Sequence, residues 1–181
     1  MALTEKQIKL VQDTWAIAKN VDGVTDTFYD RLFTTHPQYK TTLFARTNVK
    51  AQAKMLAATI DAAVNGLRKT DELVPVLQTL GMRHCYYGVR PKDYAPVGSA
   101  LLWTLEYYFK EKFTPEVRDA WAAVYGVIES VMASQCETAE GKKALAAYDA
   151  KYGTKCWYCN PMVMAGLALA VAGVAFALTT Q

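Results

Sequence analysis

The sequence predicts an all-α domain followed by an apolar tail. Apolar residues recur three and four positions apart along most of the first 150 residues, and capping and proline signals punctuate those runs. No stretch alternates polar with apolar residues as a half-buried strand would. The first helix is announced by Thr4 with Gln7 three positions on, a capping box, after which Ile8, Val11, Trp15 and Ala18 share one face. A second stripe runs through Val24, Phe28, Leu32 and Phe33 and ends near His36-Pro37. Met55, Leu56, Thr59, Ala63 and Leu67 mark a third helix. Leu73, Val76, Leu77, Leu80 and His84 mark a fourth, closed by Gly88 and the turn at Arg90-Pro91. The fifth begins near Tyr94 and is expected to run to about Lys112. Thr114-Pro115-Glu116 then starts a sixth with a cap, a first-turn proline and an acid on the positive end of the helix dipole. It continues past Trp121, Tyr125 and Ile128.

A chain of 181 residues suits one domain of ordinary size. Its net charge of +3, without a basic stripe, argues against a dedicated nucleic-acid binder. The 20 basic and 17 acidic residues all lie before Cys156. The predicted organisation is a helical domain over residues 1–150, a linker over 151–160 and a membrane-spanning tail over 161–178. Those last residues carry no strongly polar side chain. As a helix they would measure about 27 Å, close to the hydrocarbon thickness of a bilayer. Trp157 and Tyr158 occupy the place of an interfacial anchor, and Lys151 and Lys155 lie just outside it. A terminal helix packed on protein is the alternative, weakened because the segment is apolar all round. The amino terminus has charges inside its first ten residues and no apolar core of signal length, so no cleavable secretory signal is read there, and the expectation is a carboxyl-terminal anchor with the domain in the cytoplasm.

Two histidines and four cysteines make a short inventory of metal ligands. There is no His-Glu-x-x-His, no zinc-spaced cysteine pairs, no phosphate-cradling glycine loop and no serine elbow. Cys156-Trp157-Tyr158-Cys159 is followed by Asn160, so it is not the motif of covalent haem attachment. Beside a membrane span, Cys156 and Cys159 are candidate acylation sites; inert reduced thiols are the simpler reading. His84 shares a face with Leu77 and Leu80, and a lone core-facing histidine is ordinarily just hydrogen-bonded.

Its neighbours change that reading. Residues 4–15 (TEKQIKLVQDTW), 28–33 (FYDRLF), His36-Pro37 through Leu43-Phe44, and 81–84 (GMRH) fall in a specific order. Residues 88–98 (GVRPKDYAPVG), Ala120-Trp121 and Tyr125-Gly126 follow them. In this order and spacing the chain resembles the globin family over roughly residues 3 to 140, which implies the three-over-three helical sandwich. By the resemblance His84 is the proximal ligand of haem iron, with haem b (iron protoporphyrin IX) as cofactor. Phe44 wedges against the porphyrin and Leu80 contacts it. Tyr29, Gln52 and Leu56, one helical turn beyond Gln52, form the distal side. His36 is expected to be exposed and not a ligand. The Tyr29 and Gln52 pair is similar to single-domain globins related to the haem domain of flavohaemoglobins. In that group a tyrosine and a glutamate complete the proximal hydrogen-bond set; Tyr94 matches the first. Cys136 stands at the aligned place of the second, with Glu137 one residue away.

The resemblance implies O2, NO and CO as ligands, held tightly where O2 is concerned, and oxidation of nitric oxide to nitrate. That chemistry leaves ferric iron, so a separate reductase is implied. A membrane-tethered sensor or electron-transfer globin without turnover uses the same pocket. A haem-free, tail-anchored helical adaptor explains the helices and tail but not His84, Phe44, Tyr29 and Gln52 together.

Overall fold

In the computed structural model, which describes residues 3–152, the caps that the sequence announces are formed. Helix α1 (Glu5–Ala18) starts where the Gln7 amide donates to Thr4 Oγ1 at 3.2 Å and the Thr4 amide donates to Gln7 Oε1 at 2.9 Å. Gly23 precedes α2 (Val24–Thr35) with φ +78°, a left-handed conformation that favours glycine. A single turn, α3 (Gln38–Thr41), follows Pro37. Asn48 caps α4 (Val49–Gly66) by accepting from the Ala51 amide at 3.1 Å. Next come α5 (Thr70–Tyr86), α6 (Tyr94–Phe109), α7 (Pro115–Ser134) and α8 (Ala139–Tyr152). The described residues contain no strand.

Three findings differ from the sequence expectation. Helix α6 stops at Phe109, because Lys110 adopts φ +49° and a short 3-10 turn over Lys110–Lys112 carries the chain on. Helix α3 has a single turn, and α8 has little amphipathic pattern. Neither offers the periodic apolar stripe on which sequence reading depends. Among the described residues no helix is long and apolar enough to cross a membrane; the predicted span over 161–178 lies outside them. So do the candidate acylation sites Cys156 and Cys159.

The first compact unit ends at Leu145, and the second begins at Ala146. Within the first, α1 packs on α7, α2 on α6, and α5 on α7. Ile8, Val11 and Trp15 of α1 meet Val117, Trp121 and Val124 of α7, with the Trp15 and Trp121 rings edge to face at 6.2 Å. Asp61 of α4 ties this layer down by accepting from Trp15 Nε1 and Lys19 Nζ, each at 2.9 Å. A second cluster gathers Phe28, Tyr29, Leu32 and Phe33 of α2 around Ala100 of α6 and Ala53 of α4. Two glycines set the helix spacing. A methyl group at Gly81 would stand 2.5 Å from the Met132 carbonyl oxygen, so α5 lies directly on the α7 backbone. A methyl at Gly98 would strike the ring of Tyr125, whose hydroxyl donates to the Tyr94 carbonyl at 2.6 Å. In the second unit, the described residues end α8, where the Tyr148 and Tyr152 rings meet at 5.1 Å.

Candidate functional site

His84 sits in the last turn of α5, one turn beyond the Gly81 contact. Its Nδ1 lies 2.8 Å from the Leu80 carbonyl oxygen. A carbonyl only accepts, so Nδ1 must carry the proton, and in the neutral ring Nε2 keeps its lone pair. Burial lowers the His84 pKa, and the Leu80 hydrogen bond opposes this only in part. The neutral imidazole is the form that binds a metal.

Tyr94, at the start of α6, stacks beside the imidazole with ring centroids 6.1 Å apart, and Tyr87 lies at 6.4 Å. The imidazole bonds to the Leu80 carbonyl, and the buried Tyr94 hydroxyl has no hydrogen-bond partner. Burial is the main reason that hydroxyl is held well above the usual phenol range. Glu137 faces water and pairs with Lys142 at 3.4 Å, its side chain 72 % exposed, so it does not reach the site. The physical reason is local: Gln135–Glu137 is a 3-10 turn that points Cys136, and not Glu137, inward.

On the other side, α2 places Tyr29 among the rings of Phe28, Phe33 and Phe44, at 5.0, 5.7 and 5.7 Å. Leu56 of α4 packs against the same cluster. Burial pushes the Tyr29 hydroxyl up to about 12, with a hydrogen bond from the Gln52 side chain acting in the opposite direction. The phenol therefore stays protonated at neutral pH. Tyr29, Gln52, Phe44 and Leu56 are thus brought together, as are Leu80, His84 and Tyr94. Leu101 of α6, which sequence reading missed, packs against both apolar clusters. His36 is half-buried, stacked on Tyr39 at 5.5 Å with Nδ1 3.0 Å from Thr35 Oγ1, and joins neither group.

A cleft of about 560 Å³ opens between α4 and α5, lined by Ala58, Thr59, Ala62, Leu77, Leu80 and Arg83 among others. Of the predicted site residues, Leu80 lines it. Arg83, the residue before His84, was also missed; its only signal is that adjacency. The donor set fits the planar iron macrocycle that the resemblance implies. One neutral imidazole offers Nε2, the rings of Tyr87 and Tyr94 lie beside it, and an orphaned tyrosine hydroxyl marks an incompletely satisfied interior. Among the described residues there is no group of three or more His, Cys, Asp or Glu able to hold a bare metal ion.

Comparison with known proteins gives the family and the fold. The model of the globin family matches residues 26–132. A flavohemoprotein from Bacillus subtilis is 31% identical over 129 residues, which cover 70% of this chain and 32% of that protein. One from Rhodopirellula baltica is 30% identical over 131 residues, covering 71% and 32%. The chain spans about a third of the length of these curated relatives. Among solved structures, a Pseudomonas aeruginosa protein described as structurally highly homologous to a human haemoglobin superposes with a TM-score of 0.63 at 27% identity, covering 71% of this chain and 97% of that one. The deoxy haemoglobin of Dasyatis akajei has the same fold, with a TM-score of 0.62 at 19% identity, covering 75% and 99%.

Proposed function

The chain belongs to the globin family, and on that premise we propose that it holds haem b through His84, binds O2 tightly and turns over nitric oxide as a dioxygenase, with a separate reductase supplying electrons. When bound, haem would supply an iron able to take O2, NO or CO. The observation that carries the reading is the Leu80 hydrogen bond at His84 Nδ1, which fixes the tautomer and presents Nε2 as the ligand atom. Tyr29 and Gln52 are the donors for a ligand that gains negative charge. Tyr29 stays a neutral donor because burial raises its hydroxyl to about 12. Phe44 and Leu56 supply apolar surface beside Tyr29, and Leu80 and Arg83 line the cleft between α4 and α5, where Arg83 is a cation suited to carboxylates.

Absorption spectra of the 181-residue protein in its ferric, ferrous and carbon-monoxide forms test the reading. The expected result is a Soret band that shifts on reduction and again with carbon monoxide. Absence of that band after haem addition would leave only a haem-free helical adaptor. With the band present, nitrate formed from nitric oxide in the presence of a generic reductase is expected; binding without nitrate would overturn the dioxygenase reading.

We further propose that residues 161–178 anchor the protein in a membrane, with the globin unit on the cytoplasmic side. The support is an uncharged apolar stretch of spanning length flanked by Lys151 and Lys155, a placement typical of the cytoplasmic face. After a carbonate wash the 181-residue chain is expected to stay with membranes, and truncation after Tyr152 to release a protein with the same Soret band. Recovery of the untruncated chain in the supernatant would show that the tail packs on protein instead.

A further inference from the structure

Two thiols meet where α5 abuts the turn after α7. Cys85 follows His84 and is 0% exposed, and Cys136 in the turn Gln135–Glu137 is 2% exposed. Their Sγ atoms lie 2.8 Å apart although 51 positions separate them in sequence. Both are free thiols, and this is closer than unbonded sulfurs ordinarily rest. A disulfide needs a separation of about 2.0 Å, so less than an ångström of approach remains. The seam around them is stiff: Gly81 lies against the Met132 backbone and Gly141 against the Gln135 carbonyl. Ala144 and Leu145 of α8 cover the pair.

We propose that Cys85 and Cys136 are a redox-modification site, forming a reversible disulfide by exchange with a small-molecule disulfide and so clasping the His84 helix to the turn after α7. In the first step one cysteine sulfur gives up its proton and attacks a sulfur of the small disulfide. That S–S bond breaks, and one small thiol leaves with a proton. In the second step the other cysteine sulfur attacks the protein sulfur of the mixed disulfide and expels the second small thiol. Two electrons pass from the protein dithiol to the small disulfide, and no net proton is released. Because α8 covers the pair, exchange waits on local opening and is slow. The site stands on thiol geometry alone and does not depend on the haem reading.

The test uses the 181-residue chain as purified, carrying Cys156→Ser and Cys159→Ser, so that Cys85 and Cys136 are its only thiols. The probe is oxidised glutathione, followed by unfolding in the presence of an alkylating reagent and mass measurement. The expected result is loss of both alkylatable thiols together, no retained glutathione, a cross-linked peptide containing positions 85 and 136, and full recovery with dithiothreitol. The unfolding midpoint of the oxidised form should rise by roughly 5–10 °C, because the bond closes a long loop. No substitution at the buried seam is needed, so misfolding of a variant cannot mimic either outcome. Two alkylated thiols at every ratio of oxidised to reduced glutathione would overturn the proposal. Cross-links found only between chains, or glutathione retained on one cysteine, would overturn it equally.

Discussion

His84→Gly is expected to weaken haem retention by more than about 100-fold, since removing even a supporting residue of a metal ligand costs 10–100-fold. The variant loses Nε2, the one ligand atom that the Leu80 hydrogen bond prepares. It leaves a space the size of an imidazole beside the ring of Tyr94. Added imidazole should therefore restore the Soret band without restoring the covalent link to α5. The helix itself loses little, because a glycine in a last helical turn costs about 1 kcal/mol or less. Far-ultraviolet circular dichroism should show the fold retained while haem titration shows the loss. A haem titration unchanged by the substitution would remove His84 from the site.

The second large effect is on the opposite side. Tyr29→Phe with Gln52→Leu is expected to speed O2 release by about 30-fold, since each lost donor is worth about 1 kcal/mol and every 1.4 kcal/mol is tenfold. Stopped-flow displacement of O2 by carbon monoxide measures it. The pH profile supplies a control: with the Tyr29 hydroxyl raised to about 12 by burial, the native protein should release O2 at a rate independent of pH from 6 to about 10. Tyr29→Phe alone keeps the aromatic packing with Phe33 and Phe44, so a small effect from it and a large one from the pair would assign the main donor to Gln52. An unchanged rate in the double variant would refute the distal assignment.

The legible parts of this chain are those whose cause is local. The Thr4 and Gln7 capping box and the Thr114-Pro115 start can be read because a few adjacent residues contain the whole interaction. The end of α6 cannot, since nothing in Lys110 itself announces a positive φ. The bond at His84 Nδ1 is to a main-chain carbonyl, which every residue possesses and none advertises. Cys136 and Glu137 are adjacent, and which of them faces inward is set by the 3-10 turn Gln135–Glu137, which no residue there announces. The Cys85 and Cys136 contact joins positions 51 apart and leaves no periodic trace. Tyr29 and Gln52 entered the site through the resemblance, since neither follows from composition or spacing.

The Gly81 contact determines how load travels through this protein. Where two helices meet through side chains, rotamers yield, and a push on one is partly absorbed before it reaches the other. Here α5 rests on the Met132 backbone one turn before His84, and a peptide has no rotamer to give. A displacement of the imidazole toward α7 therefore meets a hard stop. The compliant direction is along the α5 axis, toward Tyr87 and Gly88, where the backbone turns at φ +82°. Any tug on the imidazole should appear first as a shift of that corner, with α7 standing still as the reference against which it moves.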